Sequence, residues 1–231
     1  MLNELRSFGL GLKKYFTNKF FYQDCLKNKE PIIISNKTII LASTSNARKK
    51  ILSDSFLPFR AIAPDFNEEE AKLEMANLPI KEIALNLAIG KAQSVSKNFK
   101  DCLIIGSDQI CELEGNIINK SNNLSEALLQ LTNLQGKTHF QHNAVVIAYN
   151  QEIIFSNYHK ASLSMQNLNE AEILQYLAFD QPWGCAGSYK YESLGKHLFS
   201  KVDGNYHAIV GLDIQPIISF LHHNKFINFL Q

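Results

Sequence analysis

Short apolar runs alternate with amphipathic stretches along this chain, and the changes of period mark its elements. Thr38–Ala42 (Thr-Ile-Ile-Leu-Ala) is an unbroken run of β-favouring residues and predicts a short buried strand. Ser43-Thr44-Ser45-Asn46 supplies turn and capping residues, and residues 47–52 predict a helix. Residues 59–63 predict a second strand ended by Pro64, and residues 65–70 an acidic loop. Residues 80–97 place Ile83, Leu87, Ala88 and Ala92 on one face, which predicts an amphipathic helix. Residues 102–106 predict a buried strand opening onto Ser107-Asp108-Gln109, and Glu114-Gly115 between two apolar runs predicts a hairpin. A helix over 125–134, stopped by Gly136, precedes a long antiparallel pair over 140–149 and 152–164. Asn169 with Glu172 has the spacing of a capping box for a helix through Tyr176. Residues 213–223 predict a closing helix that tolerates Pro216 in its first turn. Helices interleaved with both crossovers and hairpins predict an α/β domain on a mixed sheet.

Residues 1–36 read differently and are expected to be an amino-terminal extension to a body of residues 37–231. Residues 1–30 hold six cations and three anions, and Phe8, Leu12, Tyr15 and Phe16 share one helical face. That pattern predicts a helix packed on the body or on a second copy in a homodimer, with a membrane-surface helix as the alternative. The apolar core between Phe8 and Leu12 is too short for a secretory signal.

Composition narrows the function classes. With 231 residues, 45% apolar and 19% charged, the chain is an ordinary globular sequence with ample material for a core. A net charge of +1 supplies no field for a nucleic-acid polymer. No apolar run is long enough for a transmembrane segment. Cys25, Cys102, Cys111 and Cys185 form no Cys-x-x-Cys pair, and the pattern predicts free thiols in a reducing, cytoplasmic compartment.

Five clusters carry candidate chemistry. The hydroxyls of Ser43 and Ser45 at a helix start, with Arg48 and Lys49, suit phosphate. The carboxylates around Glu68 suit Mg²⁺ or Mn²⁺. Asp108 directly follows a very apolar run and suits a general base, a metal ligand, or both. Lys91, Lys120 and Lys190 are isolated cations in or near apolar segments. In residues 185–192, small side chains allow close backbone approach, and Glu192 is placed to accept from a base. His139 and His142, three apart in a strand, point to opposite faces and make no zinc pair.

In order, these motifs resemble the Maf family of nucleotide pyrophosphatases over roughly residues 38–225. The resemblance rests on Leu41-Ala42-Ser43-Thr44-Ser45, Lys91-Ala92, Ile105-Gly106-Ser107-Asp108-Gln109, Lys120, Gly136-Lys137-Thr138-His139, Ala186-Gly187-Ser188-Tyr189 and Val210-Gly211-Leu212. It implies an elongated Maf/ITPase-like sheet with a cleft between two lobes. It also implies hydrolysis of a nucleoside triphosphate to the monophosphate and pyrophosphate, with Ser43, Ser45, Arg48, Lys49, Lys91, Lys120 and Lys190 on the substrate. Glu68 and Asp108 would hold the divalent cation and Asp108 would direct the water. Gln109 and Glu192 resemble the subgroup acting on 7-methyl-GTP; members acting on dTTP and UTP carry threonine and glutamine there, and arginine at the position of Ala47. The alternatives are a dTTP/UTP enzyme or a weakly hydrolytic nucleotide-binding regulator of cell division. The chain departs from the family pattern at Asn46, Ala47, Lys49, Asn67, Ser121 and Asn143-Ala144.

Overall fold

The computed structural model describes residues 33–229, so the helix expected near the amino terminus lies outside the described residues. Ile33–Ser35 (β1) pairs antiparallel with Ile227–Phe229 (β9) in a separate two-stranded ribbon. Three residues on the extension's side of the expected boundary are therefore tied to the far end of the chain.

The main sheet has seven strands. Thr38–Ala42 (β2) lies between Arg60–Ile62 (β3) and Cys102–Leu113 (β4), parallel to both. β4 then pairs antiparallel with Thr138–Tyr149 (β6), which pairs with Glu152–Met165 (β7), and β7 with Phe199–Asp203 (β8). Asn116–Ile118 (β5) pairs with the last three residues of β4. β2 and the first half of β4 are covered on both faces, which explains their continuous apolar runs. Ile39, Leu41, Leu103 and Ile105 pack on one face with Asn46–Asp54 (α1) and Ile214–His223 (α6). Ile40, Ala42 and Ile104 pack on the other with Ile80–Ser96 (α3). A further core lies between Leu124–Leu134 (α4), Glu170–Asp180 (α5), the distal ends of β4 and β7, and β8.

Two expectations need correcting. Residues 65–70 are not a loop throughout: Asn67 caps a helix, Glu68–Glu74 (α2), its side chain accepting from the Glu70 N–H. The strand expected to end at Gly106 runs on to Leu113, so Asp108 lies within β4 rather than past its end. Its polar residues have distant partners: Ser107 donates to the Gly211 carbonyl, Asp108 receives Lys91, and Gln109 donates to the Ile209 carbonyl. Such partners let buried polar groups sit in a central strand without loss.

Candidate active site

β4 is paired on one flank by β2 only as far as Ile105 and by β5 only from Cys111. Between them residues 106–110 present an open edge, and a cleft of about 320 Å³ lies over this gap. The loop leaving β2 forms one wall and the chain leaving β5 the other, which is why Ser43–Arg48 and Lys120 face each other across it.

Three features place the charged groups. The first is Gly106, where a Cβ would collide with the Ala88 carbonyl and come within 2.8 Å of the Ala92 Cβ, so α3 lies hard against β4. That approach brings the Lys91 Nζ, on a side chain only 5% exposed, to 2.6 Å from Asp108 Oδ1. The second is Gly90, whose missing Cβ makes room for the Phe66 ring. Phe66 holds the start of α2 against α3, and Glu68 Oε1 lies 3.0 Å from the same Lys91 Nζ. Burial raises the Glu68 carboxyl, but the charge and hydrogen bond of Lys91, with Lys120 and Lys72 beyond, outweigh it and hold it below its usual range. The third is Gly211, in the left-handed region at φ 128°, whose carbonyl accepts from Arg48 Nε at 2.8 Å. The Nη groups of Arg48 meet no acceptor among the described residues and remain for an anion. Desolvation lowers the guanidinium's pKa, countered in part by Asp108 and Glu68.

The α1 amino terminus completes the anionic subsite. Ser43 Oγ accepts from the Ser45 N–H, and Ser45 caps α1. The Ser45 side chain accepts from the Arg48 N–H, and the N–H groups of Asn46 and Ala47 meet no acceptor among the described residues, as the first N–H groups of a helix have none within it. Together with the helix dipole they present a geometry suited to an anion.

Of the residues expected from the sequence, Ser43, Ser45, Ala47, Arg48, Glu68, Lys91, Asp108, Gln109, Lys120 and Glu192 all line this cleft. Lys49 and Lys190 do not. Lys190 turns away and donates to the Asp180 carbonyl at 2.6 Å, bracing the loop that carries Glu192. Lys72 and Gln141 line the cleft and were not expected there, and Tyr189 and Tyr191, inside the candidate stretch 185–192 but given no role of their own, line it too. Lys72 stands four residues after Glu68 on α2, a spacing that is informative only once the segment is known to be helical. Two departures from the family pattern also acquire roles. Asn143 joins the Asp108 carbonyl to the Asp213 N–H, and Ser121 accepts from Gly184 N–H and Ser188 Oγ.

A family model described as Maf-like protein matches residues 38–224. The chain belongs to the Maf family. A 7-methyl-GTP pyrophosphatase of Bartonella quintana is 38% identical over 189 residues, 80% of this chain and 95% of its own. Nucleoside triphosphate pyrophosphatases of Legionella pneumophila and Bradyrhizobium diazoefficiens are 34% and 35% identical, covering 83% and 82% of this chain and 96% and 95% of theirs. Among solved structures, the Staphylococcus aureus Ham1 protein aligns over 81% of this chain and 100% of its own, at 14% identity and a TM-score of 0.41, a likeness too loose to carry weight.

In this Maf chain the cleft holds Arg48, Lys72, Lys91 and Lys120 against Glu68, Asp108 and Glu192. Among the described residues no group of three or more His, Cys, Asp and Glu side chains gathers in a way that could hold a metal ion. The fit to a hard divalent cation is of another kind. Asp108 Oδ2 is buried with no hydrogen-bond partner, while Oδ1 shares Lys91 with Glu68. One or two carboxylates beside bound phosphates is how Mg²⁺ is commonly held. Among the described residues no helix is long and apolar enough to cross a membrane.

Proposed function

We propose that this Maf chain is a nucleoside triphosphate pyrophosphatase, a hydrolase acting on phosphoric anhydrides, and that its substrate is 7-methyl-GTP. The observation that carries the reading is the meeting of Glu68 and Asp108 on Lys91, within the cleft that also holds the α1 amino terminus and Arg48. Ser43, Ser45, Arg48, Lys72 and Lys120 bind the triphosphate. Asp108, through its unpartnered Oδ2, orients a water and accepts its proton as the oxygen bonds to the α-phosphorus. The bond from the α-phosphorus to the bridging oxygen breaks, and pyrophosphate leaves. Lys91 pairs with both carboxylates, holds the Glu68 carboxyl below its usual range, and offsets charge that develops on the phosphoryl group. Glu68 and Asp108 would hold Mg²⁺ or Mn²⁺, which supplies charge neutralisation and polarises the phosphate oxygens.

Base choice follows from two acceptors. Glu192 is a carboxylate on the cleft's far wall, and Gln109 uses its amide nitrogen on the Ile209 carbonyl, leaving its oxygen for a ligand. N7-methylguanine is cationic and carries N–H donors on its pairing edge, so acceptors and negative charge suit it. A panel of 7-methyl-GTP, GTP, dTTP and UTP, with and without Mg²⁺ and read by pyrophosphate release, tests the reading. The expected result is metal-dependent turnover of 7-methyl-GTP ahead of the others, with Glu192→Gln narrowing that lead. Preferred turnover of dTTP or UTP would remove the substrate assignment, and tight binding without hydrolysis would remove the activity.

A further inference from the structure

Behind Gln109 runs a file of buried hydrogen bonds that the reaction itself does not use. Gln109 Nε2 donates to the Ile209 carbonyl at 2.7 Å and to Gln141 Oε1 at 2.8 Å. Gln141 Nε2 donates to the Tyr189 hydroxyl at 2.7 Å, and that hydroxyl meets His139 Nε2 at 2.9 Å. Gln141 and His139 are buried in β6, and Tyr189 is packed edge-on between His139 and Phe199.

The polarity of the whole file follows from one atom. A backbone carbonyl only accepts, so Ile209 requires the amide nitrogen of Gln109 on its side. Both N–H bonds of that nitrogen are then engaged, and the amide oxygen lies over Gly211, where a Cβ would come within 3.0 Å of it. Gln141 must offer its oxygen to Gln109 and its nitrogen to Tyr189. The Tyr189 hydroxyl accepts from Gln141, so its own proton goes to His139 Nε2, and His139 is neutral with its proton on Nδ1. The reverse sense would strand the hydroxyl proton and a ring lone pair together, whereas this one strands only Nδ1–H, the atom that lacks a partner. Burial lowers His139 to about 4, consistent with a neutral ring.

We propose that Gln141, Tyr189 and His139 are positioning residues for base recognition, supplying beside the Ile209 carbonyl the second acceptor that locks the Gln109 amide with its carbonyl oxygen, and not its nitrogen, toward the nucleobase. Turned over, Gln109 would present donors and favour a base edge rich in acceptors. The inference rests on Gln109 and Glu192 being the base-contacting pair, and it extends the determinant of selectivity into groups that do not touch the base.

A double-mutant cycle tests it. Selectivity is the ratio of kcat/KM for 7-methyl-GTP over UTP, with KM and kcat recorded separately. Tyr189→Phe keeps the ring and removes the hydroxyl, so Gln141 loses its anchor and the Gln109 amide is held by the Ile209 carbonyl alone, one bond about which it can swing. The ratio should fall on the order of tenfold, the scale of one oriented hydrogen bond, with the change carried by KM for 7-methyl-GTP. Gln109→Met removes the acceptor itself. In that background Tyr189→Phe should cause no further fall, because the hydroxyl acts only through the amide. An equal loss on both nucleotides, or losses that multiply in the double variant, would mean Tyr189 is merely part of the packing and would overturn the proposal. Should Tyr189→Phe prove poorly folded by thermal melting, Gln141→Leu enters the same cycle with the same expectations. If the wild type prefers a pyrimidine nucleotide, the substrate reading fails separately. The cycle is then run on that nucleotide against 7-methyl-GTP, and coupling between Tyr189 and Gln109 still decides the relay.

Discussion

Gly90→Ala should separate activity from stability. A methyl group on Gly90 would stand 2.5 Å from Phe66 Cζ, with Cε2 nearer still. Carbon atoms rest roughly 3.5–4.0 Å apart, so the ring must retreat by about 1 Å or more. α2 has no buried residue of its own, and at its amino-terminal end, next to Glu68, Phe66 is the apolar contact with α3, Ala71 and Met75 packing further along. When the ring retreats, Glu68 moves off Lys91. For stability the terms oppose: alanine gains about 1 kcal/mol over glycine in a helix interior, and crowding costs about 1–3 kcal/mol. The net change should stay within about 2 kcal/mol. For activity nothing opposes the loss, since a displacement of about 1 Å in a catalytic group can cost on the order of 100-fold. Steady-state pyrophosphate release should show kcat/KM lowered roughly 10- to 100-fold, while the melting midpoint moves by only a few degrees. Phe66→Leu in the Gly90→Ala background should recover part of the activity by restoring room. Wild-type kcat/KM in Gly90→Ala would refute the claim that this contact places Glu68.

Two further outcomes follow from the same geometry. Asp108→Asn keeps the shape but removes the proton acceptor, and single-turnover hydrolysis should slow by about 10²- to 10⁴-fold; undiminished turnover would falsify the role of Asp108. His139, fully buried, is lowered from 6.5 to about 4, so between those values the unfolded chain binds a proton that the folded chain does not. Its contribution is therefore complete above about pH 6.5 and shrinks as pH falls toward 4, by on the order of 3 kcal/mol. Urea unfolding across that range should show the slope, and His139→Phe should flatten it; an unchanged slope would mean that other groups carry the pH dependence.

Much of this arrangement was legible in the residues themselves. The double-sided burial of β2 and early β4 was written as unbroken apolar runs, and the face of α3 as a helical period. Asp108 was picked out because an acid directly after a very apolar run stands at a strand end, where ligands bind on open sheets. Its partner Lys91 was also singled out, but their contact depends on Gly106 admitting α3, and glycine alone does not say what approaches it. The continuation of β4 was hidden because Ser107, Asp108 and Gln109 look like a turn until their partners from α3 and the Ile209–Gly211 segment are known. Asn67 and Glu70 have cap spacing, yet a row of acids reads first as a solvated loop. Gln141 gave no sign at all: it is one polar residue in a strand, and its meaning comes from Gln109 and Tyr189, 32 and 48 residues away.

β4 and β6 each run unbroken from the lobe built on α1 and α3 toward the lobe built on α4 and α5, joined in register from Leu103 opposite Tyr149 to Glu112 opposite Phe140. Such a double spar resists bending, and swinging the lobes about the cleft would tear its ladder. The jaws of this enzyme are therefore set at a fixed gauge, as in a caliper, and any tightening on a nucleotide falls to the attachments: the turn before α1, the short α2, and the loop bearing Glu192.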